Sequence, residues 1–274
     1  MATPSIPPLG LGTYRNDDHD TCVESVKTAL NVGYRHVDTA EAYGNEDAVG
    51  EGIRASDVDR EDVFLGTKVL HPKFTDSYAK EDILASARAC LERLGVDSVE
   101  LFYGIHWPNG QPPAYDLDEV AAACEEFYDE GGFERFGVCN LTPDLVDDVR
   151  AATELTVDAL QIEMHPLLPQ EEVRAYCEDA DIDVVAYGPL GNGEILDDPT
   201  LLEVADRHGV STAQVSLAWL REKGVHPIPK AVGEAHVRDN WRSLDLELDD
   251  ADVAAIDDID RTVRVYDPDY APVW

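Results

Sequence analysis

GYRHVDTAEAYGNEDAVG, residues 33–50, decides the fold. A β-rich run, YRHVD at 34–38, stops at an aspartate, and a tyrosine follows at 43. Runs of the same kind recur along the chain: LGLGT at 9–13, VFLGTKV at 63–69, VELFYGIH at 99–106 and FGVCN at 136–140. ALQIEM at 159–164, DVVAYG at 183–188 and HPIPK at 226–230 complete the set. Helical patterns lie between them, as with Ile83, Ala87, Leu91 and Leu94 ahead of Gly95. Thr142-Pro143 and Asp198-Pro199 read as an N-cap followed by proline in the first turn, and Ser211 with Gln214 reads as a capping box. Strands that alternate with helices make a parallel sheet, and eight such units close into a (β/α)8 barrel. No Pro/Gly/Ser-rich linker divides the 274 residues, so the expectation is one barrel domain over 1–274 with a tail at 260–274 near the site. Only residues 1–8 precede the first strand, so any N-terminal hairpin closing the barrel must be short.

In such a barrel the C-terminal ends of the strands converge on one rim. Asp38, Tyr43, Lys68 and His106 each stand at or just past a predicted strand end, so they can meet there. Their chemistry suits proton donation. A free tyrosine, with a pKa of about 10, is a weak acid at neutral pH, and lowering it by two units takes about 2.7 kcal/mol of preferential phenolate stabilisation. The ammonium of Lys68 is placed to supply that, with Asp38 holding the lysine and His106 hydrogen-bonding a substrate carbonyl.

The strings 33–50, LGTKV at 65–69 and LFYGIHWP at 101–108 strongly resemble the aldo-keto reductases. So do PPLGLGTYR at 7–15, GVCN at 137–140, LQIEMHP at 160–166, AYGPLGNG at 186–193 and IPK with a later Asn240. The resemblance runs over nearly the whole chain and implies reduction of an aldehyde or ketone by NADPH, with Tyr43 as general acid. It further implies that Tyr187 stacks on the nicotinamide while Asn140 and Gln161 bind its carboxamide. Pro189, Leu190 and Gly191 belong to the phosphate loop, Lys230 and His236 face the adenosine 2′-phosphate, and Asn240 faces the adenine. Tyr14, Trp107 and the tail aromatics Tyr266, Tyr270 and Trp274 are the candidate substrate walls.

Three positions depart from the family pattern. Cys139 replaces a common serine, Ala231 replaces the serine after the lysine, and His236 stands where an arginine is usual. The 2′-phosphate clamp is thinned, so NADPH is expected to be accepted through Lys230 with NADH used at a comparable rate.

A net charge of −36, from 57 acidic and 21 basic residues, makes nucleic acid and anionic membrane poor partners. The excess is dispersed, as in DLELDDADVAAIDDID at 245–260, which points to a salt-loaded cytoplasm of the halophilic kind. There is no apolar run of bilayer length and no signal-peptide pattern at the start, so a soluble, cytoplasmic and monomeric protein is expected. The five cysteines form no CxxC pair, and the histidines, His36 and His165 among them, have no HExxH spacing. No metal is assigned, and both histidines read as packing residues. Two rivals remain open on the residues alone: a cofactor-binding regulatory subunit, and an isomerase or aldolase using Lys68 as a Schiff base.

Overall fold

The computed structural model describes residues 4–71, 75, 77–107, 116–269 and 271–272. Its strands are β1 (Leu11–Gly12), β2 (His36–Asp38), β3 (Phe64–Lys68), β4 (Val99–Ile105), β5 (Phe133–Cys139), β6 (Val157–Glu163), β7 (Asp183–Tyr187) and β8 (His226–Pro227). They pair in chain order and every pair is parallel. A parallel bridge from Gly12 to Lys230 brings the last strand back to the first, giving the (β/α)8 barrel. Parallel strands covered by helices are buried on both faces, which is why these runs read as nearly continuous apolar segments.

The helices are α1 (His19–Val32), α2 (Glu46–Arg54), α3 (Lys80–Leu94), α4 (Leu117–Asp129) and α5 (Pro143–Ala152). They continue as α6 (Glu171–Asp179), α7 (Pro199–His208), α8 (Thr212–Glu222), α9 (Glu234–Trp241) and α10 (Asp250–Asp257). Their apolar faces and the outward strand faces form one large core, while Ile6, Phe64, Leu101, Tyr103, Cys139, Ala159, Val185 and Ile228 form a second cluster. No helix among the described residues is long and apolar enough to cross a membrane. All five cysteines are buried thiols.

The seam is shorter than the sequence suggests. β1 and β8 keep two residues each, against expected runs of 9–13 and 226–230. Pro227 and Pro229 have no N–H to give, so they hold the seam through their carbonyls, which accept from Gly10 N at 2.9 Å and Gly12 N at 3.2 Å. Glycine is required there, since a Cβ on Gly12 would stand 2.6 Å from the Ile228 carbonyl oxygen. No strand precedes β1 among the described residues. Instead the chain crosses the base, burying Ile6 and offering the carbonyls of Pro4 and Pro7 to Arg135 and His226.

The helix ends follow expectation in part. Gly95 closes α3 with φ 69°, and Asp198 caps α7 through Thr200 N at 3.0 Å. Thr142 makes no side-chain cap. Ser211 accepts from Gln214 N at 3.2 Å, but the box does not close, because the Gln214 side chain turns to Asp239 at 2.7 Å. The reciprocal box belongs to Asp249 and Asp252 on α10.

His36 is fully buried in β2, edge-on to Phe64 at 5.1 Å, with neither ring nitrogen hydrogen-bonded. Burial, followed by the charges of His226 and Lys68, pushes its pKa down to about 3 from 6.5. Above pH 6.5 it is neutral folded or unfolded and contributes nothing. Below that, the unfolded chain takes up a proton that the folded one refuses, so stability falls as the pH drops toward about 3. Between pH 6.5 and 5, urea unfolding should show the native protein losing about 1.6 kcal/mol more than His36→Leu. Parallel pH profiles for the two proteins would show that His36 is not held neutral.

Candidate functional site

The floor of the site is the pair Asp38 and Lys68. β2 lies beside β3 with Asp38 opposite Gly66, so Lys68, two residues on, shares the inward face. Lys68 is 0 % exposed and Asp38 1 %. The Lys68 ammonium donates to Asp38 Oδ1 and, at 2.6 Å, to the Thr39 carbonyl. Gln161 Nε2 donates to the other carboxylate oxygen at 2.9 Å. Burial pushes the Asp38 carboxyl up, opposed by the Lys68 charge and these hydrogen bonds. Lys68 Nζ also lies 5.3 Å from the ring centroids of both Tyr43 and Tyr103.

Tyr43 ends a single 3-10 turn, Glu41–Tyr43, stopped by left-handed Gly44. Its half-buried ring lines the cleft, 5.7 Å from the His106 ring and 5.1 Å from Tyr14. Its hydroxyl makes no hydrogen bond to another described residue. The phenol is not depressed as the sequence suggested. Burial holds it well above the usual tyrosine range, reinforced by the Asp38 carboxylate, and the ammonium meant to lower it is spent on Asp38 and Thr39.

His106 follows β4, fixed by its N–H on Val69 O at 3.0 Å and by its carbonyl, which accepts from Asn140 Nδ2 at 2.9 Å. Burial, then the charges of Lys68 and His71, keep its imidazole well below the normal range and so neutral. Tyr14, 40 % exposed, and Trp107, 6 % exposed, form walls beside it. His71, which sequence reasoning passed over, meets His106 edge-on at 4.9 Å.

These residues open into a cleft of about 1180 Å³ that runs across the strand ends to α8 and α9. Asn140 and Gln161 lie on its wall, and Tyr187 donates its hydroxyl to Asn140 Oδ1 at 2.7 Å. Pro189 and Leu190 line it too. Gly191 does not, because its Cα faces Ile195, 2.7 Å from where a Cβ would stand. Exposed Lys230 and His236 and buried Asn240 line the far end. Arg238 turns away into an ion pair with Glu234 at 2.7 Å, as expected for a residue two along the helix from His236. Asp239 shares that wall, held by Ser211 Oγ and Gln214 Nε2 at 2.7 Å each. Arg15 and Lys230, both on the cleft, have no carboxylate partner among the described residues, in a chain with 57 acidic groups. Two unspent cations, a glycine-rich loop and a long cleft suit a dinucleotide's phosphates.

In the tail Tyr266 lines the cleft, while Tyr270 and Trp274 lie outside the described residues. What anchors it was missed. Buried Glu163 accepts from Val265 N at 2.7 Å and Tyr266 N at 2.9 Å, and His165 Nε2 lies 3.3 Å from the same carboxylate. His165 is therefore more than packing. The signal was strand alternation, since Glu163 shares the inward face with Gln161.

The geometry has clear relatives. A glyoxal reductase from Bacillus subtilis (strain 168) is 35% identical over 260 residues, covering 95% of this chain and 91% of that protein. A 9,11-endoperoxide prostaglandin H2 reductase from Trypanosoma cruzi (strain CL Brener) is 35% identical over 268 residues, covering 96% and 92%. The solved structure of an aldo/keto reductase from Brucella melitensis superposes with a TM-score of 0.84 at 35% identity, covering 93% and 95%. A family model matches residues 8–261, and the chain belongs to the aldo/keto reductase family of oxidoreductases.

Proposed function

We propose that this protein reduces an aldehyde or ketone to the alcohol, with Tyr43 giving the proton to the carbonyl oxygen and NADPH or NADH as the cofactor. The observation that carries this reading is the meeting of Asp38, Tyr43, Lys68 and His106 at one end of a cleft long enough for a dinucleotide. The bound nicotinamide supplies the hydride. Asn140 and Gln161 would orient its carboxamide and Tyr187 its ring, with Lys230 and Arg15 offering charge to the phosphates.

Burial keeps the Tyr43 phenol protonated at neutral pH, so it holds the proton to be given, while the raised pKa makes it a weaker acid whose phenolate needs stabilising as it forms. As charge grows on the carbonyl oxygen the proton leaves the phenol, and the phenolate left behind lies near the Lys68 ammonium, which Asp38 keeps in place. His106, held neutral, gives a hydrogen bond to the same oxygen. A Schiff-base role suits Lys68 poorly, since its nitrogen is wholly buried and doubly hydrogen-bonded. One relative is named for glyoxal, so small dicarbonyl compounds lead the substrate panel.

Tyr43→Phe should bind NADPH as well as the native protein does, yet lose about 10² to 10⁴ of its carbonyl reduction rate. If more than a third of kcat survives, another group gives the proton. For the cofactor, Ala231 offers no side-chain donor and Asp239 adds negative charge beside Lys230, so 2′-phosphate recognition rests mainly on one lysine. The ratio of kcat/KM for NADPH over NADH should stay below about 10³, since one charge-assisted bond is worth roughly one to two decades. A larger ratio would mean that further groups clamp the phosphate.

A further inference from the structure

Glu163 and His165 belong to the same strand-end string as Gln161, yet the proposed chemistry uses neither. Glu163 is 1 % exposed, and burying a carboxylate is costly unless its oxygens are satisfied. Here the tail does much of this. Val265 N reaches Oε1 at 2.7 Å and Tyr266 N reaches Oε2 at 2.9 Å, so both oxygens are tied to consecutive backbone groups at a bend in the tail. Gln170 Nε2, at 2.9 Å from the Glu163 carbonyl, fixes the strand end itself. A second tie, Val263 N on Leu167 O at 2.9 Å, sets the tail's approach.

The consequence is where Tyr266 lands. Its ring stands 5.4 Å from Tyr187 and 6.0 Å from Tyr14, both edge-on, so it spans the cleft between the first and seventh strand ends. Its hydroxyl donates to Asn192 Oδ1 at 3.1 Å, on the glycine-rich loop after β7. The tail thus crosses between the wall beside Tyr43 and the loop that would take the phosphates.

We propose that Glu163 is the latch of a C-terminal strap: it positions Tyr266 across the cofactor cleft, and opening of this strap paces cofactor release. The inference rests on the cofactor reading above. Glu163 touches neither substrate nor cofactor and acts through the tail backbone alone. Breaking the latch leaves the strand in place and frees the segment 263–268.

The test is Glu163→Gln, which keeps the shape and one acceptor oxygen but sets an amide NH₂ against the other backbone N–H. Hydrogen exchange of the 263–267 amides and NADPH dissociation by stopped-flow fluorescence are the two readouts. In the variant, exchange at Val265 and Tyr266 should rise by about tenfold or more with β4–β6 protection unchanged, and NADPH should leave about tenfold faster, as expected for one lost charge-assisted bond. Unchanged tail exchange overturns the latch, and faster exchange with unchanged release overturns the strap. Tyr266→Phe keeps Glu163 intact and removes only the bond to Asn192. It should speed NADPH release at least threefold without altering exchange at 265 and 266, and it decides the matter if Glu163→Gln does not fold. A native protein that binds neither NADPH nor NADH would bring down the cofactor reading as well, whereas native binding with release insensitive to both variants removes the strap alone.

Discussion

The site is built on the contact between Asp38 and Lys68. Two charges withdrawn from water cost several kcal/mol each, recovered only when the geometry is good and the remaining donors and acceptors are met. The barrel meets those terms with its own frame. β2 and β3 deliver the pair on one face, and the Thr39 carbonyl and Gln161 amide take up the remaining bonds. Gln161 arrives from β6, on another part of the wall, so closure of the barrel and satisfaction of the ion pair are coupled. Lys68 is then a fixed positive charge beneath Tyr43.

A dispersed charge of −36 would repel an anionic dinucleotide if it were uniform. It is not uniform at the cleft. Basic side chains such as Arg60 and Arg54 are tied to Glu100 and to the Leu94 carbonyl, whereas Arg15 and Lys230 line the cleft with no such partner among the described residues. A local positive field inside a negative shell would draw the phosphates of the proposed cofactor to one place. Asp239, held by Ser211 and Gln214, limits that field at the α9 end.

Much of this was legible in the sequence because strand ends in a parallel barrel are functional by position. Asp38, Lys68, His106 and Asn140 close or follow β-rich runs, and the structure brings them together, with Asp38, His106 and Asn140 lining one cleft and Lys68 buried against Asp38. The rest depended on three-dimensional circumstance. Pro227 and Pro229 shorten the seam, and Gln214 prefers Asp239 to its own helix start. The raised pKa of Tyr43 follows from the desolvation of its phenol and from how fully Lys68 is spent, and neither can be read from spacing. Glu163 carried a visible signal, yet its partner lies 102 residues downstream with no motif to announce it.

The central claim is that Asp38 and Lys68 act as one unit beneath Tyr43. A double-mutant cycle on kcat/KM for carbonyl reduction, using Asp38→Asn, Lys68→Met and the combined variant, tests it most directly. If the pair is a single device, each substitution alone costs about 10² or more and the combined variant is no worse than the poorer single one within about threefold. Losses that multiply across the cycle, or a Lys68→Met protein that keeps more than about a third of native kcat/KM, would contradict the account.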